Sequence, residues 1–301
     1  MKRKAVTVAG AVGLLLGVLL SACGSQPPPD AVKAPVQTVR VKWGVGGYRT
    51  LGEGRPLVLL VGEPASIDNW TPALIDDLAR GARVYAIDYE GIGRTTLRNP
   101  GQFTITRLAD DTADFIRALR LGSVNVMGFS MGSFVAQSLA VRYPTLVHRL
   151  VLAAPALGDG TAKGNDISPP AHYICKGASW RWVAFPFTAK GCAAAVAYFR
   201  AIHAYPDFAD EDVDIVAQAE DSAAGAWLGG LVKEGHLAAR IAVPVLVGGG
   251  TQDALLPMPD SVNVAKTIPH ATLKLYPDAG HGFLFQHEAD WTRLVLDFLN
   301  S

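Results

Sequence analysis

The stretch NVMGFSMGSFVAQ, residues 125–137, changes character at one residue. Strand-forming apolar residues run up to Phe129, helix-forming residues run on from Met131, and Ser130 stands at the junction with Gly128 and Gly132 on either side. The pattern is G-x-S-x-G between a strand and a helix, and its spacing has a mechanical reason. The turn is tight enough to strain the backbone of the serine, and the two glycines relieve crowding around it. Its hydroxyl is thereby lifted above the end of a sheet, at a helix N-terminus. Such a turn needs a mostly parallel sheet to carry the strand and helices to cover both sheet faces.

The flanking sequence supplies both. VRVKW (39–43) and GYRTLGEG (47–54) read as an opening antiparallel pair, and PLVLLV (56–61) is the continuous apolar run of a strand covered on both faces. RVYAID (83–88), SVNVMGF (123–129), HRLVLAAP (148–155), VPVLVGGG (243–250) and PHATLKLY (269–276) follow as strands. Between them lie helical patterns: one around Leu74, Ile75 and Leu78, one over 104–121 with Leu108, Phe115, Ile116 and Leu119 in phase, and one over 133–144 stopped by Pro144. WTRLVLDFLN (291–300) reads as the last helix. The expected class is α/β, with helices on both faces of a mostly parallel central sheet.

One interval, residues 157–240, breaks the rhythm. It holds Tyr173, Trp180, Trp182, Phe185, Phe187, Tyr198, Tyr205, Phe208 and Trp227, and helical stretches around 193–203 and 212–231. An aromatic-rich insertion that returns to the same sheet reads as a helical lid over the strand ends, its aromatics mostly forming a core of its own. The main domain is then split into residues 38–156 and 241–301.

Half of the 301 residues are apolar and the formal charge is zero, enough for one large core with an inserted unit. No run of lysine or arginine interleaved with aromatics appears, which sets nucleic-acid partners aside. Lys2, Arg3 and Lys4 precede an uncharged apolar stretch over 5–20, and Leu20-Ser21-Ala22-Cys23 closes it. That is a secretion signal over 1–22. Its end resembles a bacterial lipobox, in which Cys23 carries the lipid and begins the mature chain; the alternatives are an ordinary cleaved signal and an uncleaved anchor. Removing three cations leaves 24 basic against 27 acidic residues, a net charge of −3. Residues 23–37 read as the lipidated cysteine and a stiff proline-rich tether. In an oxidising compartment Cys175 and Cys192, 17 positions apart, are expected to pair for about 3 kcal/mol, the alternative being two buried thiols.

A serine hydroxyl is a weak nucleophile near neutral pH and needs a base, which in turn needs an orienting acid. Of seven histidines, His281 in PDAGHGF follows the last strand and can return its ring over Ser130. His287 is the second candidate, whereas His148, His172, His203, His236 and His270 lie at strand starts or in the lid. For the acid, Asp253 in GGGTQDALLP lies just past a strand end, one strand before the histidine. Asp260 reads as a helix cap and Asp278 as a turn residue. The order Ser130, Asp253, His281 matches that of a strand-turn-helix serine triad.

LLVGEPAS, DYEGIGRT, GFSMG, and GTQD with GH together resemble the α/β-hydrolase fold from about Thr38 to the C-terminus, with the lid as its cap domain. The resemblance implies that the Glu63 and Met131 amides form an oxyanion hole. Two positions depart from the family pattern: Val61-Gly62-Glu63 stands where His-Gly-x is usual, and Glu90 replaces the arginine of a D-x-R-G-x-G turn. GFSMG is similar to the elbows of cofactor-free haloperoxidases, lactonases and small esterases. With no Gly-rich phosphate loop and no clustered Cys/His spacing, neither a metal nor another cofactor is expected. The resulting expectation is an exported, membrane-anchored serine hydrolase acting on a small-molecule ester with an apolar portion. The alternatives are the same triad acting on a lactone, an amide or peptide, a carbon-carbon bond or in perhydrolysis, and a ligand-binding lipoprotein without turnover.

Overall fold

The computed structural model describes residues 29–99, 102–163, 175, 183–206, 208 and 214–301. The signal segment, Cys23, His172, Tyr173, Trp180 and Trp182 lie outside the described residues. The elements are, in chain order, β1 (Gln37–Val41), β2 (Gly44–Leu51), β3 (Pro56–Leu60), α1 (Pro72–Ala79), β4 (Arg83–Ile87), α2 (Ile105–Ala118), β5 (Val124–Phe129), α3 (Met131–Arg142) and β6 (Val147–Ala153). After these come α4 (Ala189–Ile202), α5 (Asp214–Leu228), β7 (Val245–Gly250), α6 (Met258–Thr267), β8 (Ala271–Tyr276), α7 (Phe283–Gln286) and α8 (Glu288–Asn300).

Eight strands form one sheet in the order β1-β2-β4-β3-β5-β6-β7-β8. β1, β2 and β4 pair antiparallel, and every pair from β4 to β8 is parallel. β7 is buried along its whole length and β3 from its second residue on, because helices cover both faces. α3 is buried over its first ten residues, so a helix without a polar stripe is the one that packs behind the serine turn.

The interval between β6 and β7 holds α4 and α5, as the periodicity predicts. Its aromatics divide differently from the expectation. Phe185 and Phe199 join Cys175, Ala195 and Ile202 in a small separate cluster, while Trp227 and Tyr205 belong to the main core. Trp227 stacks on Phe134 of α3 and donates to the Ala156 carbonyl; Tyr205 donates to the Trp70 carbonyl beneath the Arg49 guanidinium. Both indole N–H and phenol O–H need partners once buried, and main-chain carbonyls of the core provide them. Cys175 and Cys192 form a disulfide that ties Cys175 to α4.

Two further expectations are corrected. Residues 29–36 are folded onto the domain instead of extending from it: Ala31 is fully buried, its N–H donates to Asp76 Oδ1 at 2.7 Å, and the Ala34 carbonyl accepts from Arg49 Nε at 2.8 Å. Alanines are small enough to pack there, and composition alone did not single them out. Asp260 does not cap a helix; it sits in the first turn of α6, after Pro257 at the cap, and accepts the Lys163 N–H.

Candidate active site

Ser130 takes φ 53° and ψ −124°, a conformation that side chains disfavour by roughly 1–3 kcal/mol. The neighbouring glycines make it possible by close approach. A Cβ on Gly128 would lie 2.2 Å from the Gly132 carbonyl oxygen, and one on Gly132 would lie 2.0 Å from that of Leu60. The elbow is held to the sheet by Ser130 N–H donating to the Ala153 carbonyl at 3.0 Å.

The acid and the histidine come from the loops after β7 and β8. These loops are stitched together by Thr251 N–H to the Tyr276 carbonyl and Gln252 N–H to the Ala279 carbonyl. His281 Nδ1 lies 2.8 Å from Asp253 Oδ2, and both residues are buried. Asp253 Oδ1 accepts the Leu255 and Leu256 amides at 2.9 Å each, which fixes the carboxylate plane. With Nδ1 engaged, Nε2 is the imidazole nitrogen left for the cavity that Ser130 also lines. His287 is turned elsewhere: its Nε2 meets Asp278 at 2.9 Å and its ring stacks on Tyr276. Asp278 also pairs with Lys190.

Ser130 and His281 open on a cavity of about 730 Å³, large enough for a drug-sized ligand. Phe129, Phe134 and Phe285 give it apolar lining, joined by Tyr198 and Ala184 of the insertion, with the Tyr198 ring packed on Phe285. The loop after β3 supplies the rest of the floor. Gly62 packs so near the serine that a Cβ there would sit 3.0 Å from Ser130 Cβ, and Tyr89 Oη secures this loop through the Val61 carbonyl.

Glu63 lines the cavity with its Oε2 buried and without a hydrogen-bond partner among the described residues. Burial pushes its carboxyl up to about 8, with Asp221 of α5 adding to the effect. The sequence flags Glu63 as a departure from the family pattern, but not Asp221. The signal for Asp221 is its place with Ala217, Ala224 and Leu228 on one face of α5. The fold holds a proton on Glu63 from its ordinary 4.5 up to about 8, so the native state binds more protons than the unfolded chain in that window. Stability therefore falls as pH rises through it. Thermal unfolding midpoints of Glu63→Gln and wild type, measured from about pH 5 to about pH 9, are expected to diverge in favour of the variant as pH rises. A pH-independent difference would show that the carboxyl titrates normally.

The sequence profile of the alpha/beta hydrolase fold matches residues 55–174, and that of the dienelactone hydrolase family matches residues 188–293. The "Putative non-heme bromoperoxidase BpoC" of Mycobacterium tuberculosis is 30% identical over 83% of this chain and 96% of its own length. The chain belongs to the α/β-hydrolase family. A second relative of this α/β-hydrolase, the 2-hydroxy-6-oxo-6-(2'-aminophenyl)hexa-2,4-dienoic acid hydrolase of Metapseudomonas resinovorans, is 26% identical over 84% of this chain and 87% of that protein. Among solved structures, an alpha/beta hydrolase fold protein from Chitinophaga pinensis superposes with a TM-score of 0.77 at 23% identity, covering 90% of this chain and 99% of the other. A meta-cleavage product hydrolase from Pseudomonas fluorescens IP01 gives 0.70 at 20% identity, over 88% and 97% of the two chains. Fold and homologues together support an enzyme of the α/β-hydrolase class.

Proposed function

We propose that this α/β-hydrolase is an exported, lipid-anchored serine esterase. It cleaves esters with a small or medium apolar portion through an acyl-enzyme on Ser130. The observation that carries the reading is the 2.8 Å contact between Asp253 and His281 beside the strained Ser130 on one largely apolar cavity. His281 Nε2 takes the serine proton as Oγ attacks the ester carbonyl, and gives it to the departing alcohol. Water then attacks the acyl-enzyme, His281 accepting the water proton and returning it to Ser130. The Asp253 carboxylate holds the tautomer that makes this possible. The Glu63 and Met131 amides are assigned to the developing oxyanion. A neutral Glu63 carboxyl below about pH 8 removes the like-charge repulsion that would otherwise favour a binding protein over an enzyme.

The anchor rests on the lipobox-like order ending in Cys23, and places the domain on the extracytoplasmic side of a membrane. One experiment addresses both parts. A fluorophosphonate probe is expected to label the full-length wild type stoichiometrically and to leave Ser130→Ala unlabelled and His281→Ala nearly so. The labelled wild type should partition into the detergent phase of Triton X-114, and labelled Cys23→Ala into the aqueous phase. Absence of labelling in folded wild type overturns the serine mechanism; aqueous partitioning of wild type overturns the anchor.

A further inference from the structure

The cavity has an uneven charge pattern. Among its described lining residues there is no lysine or arginine, and the one basic group, His281, is held by Asp253. Two carboxyls are present instead. Glu63 lies inside, one residue after the glycine that abuts Ser130, with its Oε2 buried and unpartnered among the described residues. Asp221 is exposed at the cavity edge, on the α5 face that carries Ala217 and Ala224. The remaining groups with which Glu63 communicates add no positive charge. Tyr89 gives its hydroxyl hydrogen to the Val61 carbonyl, and Glu220, buried on α5, acts on that same tyrosine. A buried carboxyl oxygen without a partner is costly and calls for a complementary group.

We infer that the substrate of this site carries a cationic nitrogen, received by Glu63 inside the cavity after passing Asp221 at its edge, and that carboxylate-bearing substrates are rejected. This rests on the esterase reading for its chemistry but concerns a different set of atoms. The Metapseudomonas relative is named for a dienoic acid; the described lining residues of this chain offer such a carboxylate two acids and no free cation. An ammonium reaching Glu63 stabilises the ionised carboxylate, so its binding releases a proton. Because burial pushes that carboxyl up to about 8, preference for the cation grows as pH rises toward and past that value.

The test uses full-length enzyme and three 4-nitrophenyl esters of matched reach: hexanoate, 6-(trimethylammonio)hexanoate and the hexanedioate monoester. The expected order of kcat/KM is cation, neutral, anion, with the cation ahead of the neutral ester by about tenfold or more near pH 8. That ratio should climb from about pH 6.5 to about pH 9 in wild type. In Glu63→Gln it should collapse and stay flat, and in Asp221→Asn it should shrink mainly through KM. Hydrolysis of hexanoate with no preference for the cation, or with the anion preferred, overturns the inference and leaves the esterase reading intact. If no ester turns over, equilibrium binding of hexyltrimethylammonium and of hexanoate to Ser130→Ala decides independently of catalysis. Tighter binding of the cation, lost in the Glu63→Gln double variant, supports the inference, and equal or absent binding overturns it.

Discussion

Asp253→Asn is expected to lower kcat about 10,000-fold while leaving the fold unchanged. The geometry dictates why so small a change is so costly. Asp253 Oδ1 accepts two backbone amides, from Leu255 and Leu256, and Oδ2 faces His281 Nδ1. An asparagine must keep its carbonyl oxygen toward the two N–H donors, so its NH₂ group points at His281. A donor there forces Nδ1 to accept, which places the imidazole proton on Nε2. That nitrogen can then no longer take a proton from Ser130. Burst kinetics with an activated ester, alongside a circular dichroism melt, check the prediction. A decrease of less than about tenfold would show that a different group orients the histidine.

The second large effect is on stability. Glu90 is fully buried as a side chain, and its oxygens accept from Arg98 at 2.7 Å and Arg107 at 2.6 Å, with the Arg98 backbone N–H as a further donor. Arg98 also pairs with Asp111 and lies over the Trp43 ring. Removing one member of such a set strands the others, at about 3–5 kcal/mol. Both arginines keep some solvent contact, which favours the lower end. Glu90→Ala should therefore lose about 3 kcal/mol and, for a domain of this size, roughly 6–12 °C in midpoint. Urea denaturation measures the loss; an unchanged midpoint would mean that the arginines find other partners.

Glu90 also shows which parts of the molecule are legible in the sequence. The elbow, the mostly parallel sheet around it and the Asp253–His281 pair follow from local patterns: a strand-turn-helix signature, and loops placed just past strand ends. Each of these is encoded within a few residues. What the sequence hides are partners distant in the chain. Nothing in D-Y-E-G-I-G reveals that its glutamate meets Arg98 and Arg107. Nothing in the insertion's periodicity tells Trp227, which stacks on α3, from Phe199, which stays in the smaller cluster with the disulfide. Glu63 is visible as a departure from the family pattern, at the position where the resemblance implies an oxyanion donor. The role proposed for it depends on α5 bringing Asp221 to the same cavity, which only the fold can supply.

The docked N-terminal segment has a consequence for where the enzyme works. Ala31 and Ala34 are fastened to Asp76 and Arg49, so if Cys23 carries the proposed lipid, no more than six peptide units separate it from Pro29. These can stretch about 20 Å at most. A domain so tethered would stay beside the headgroup layer and search in two dimensions. It meets compounds at their surface concentration, not their bulk concentration. Anionic lipids enrich cationic amphiphiles at that surface, so the bilayer itself would deliver the class of compound proposed for the Glu63 cavity.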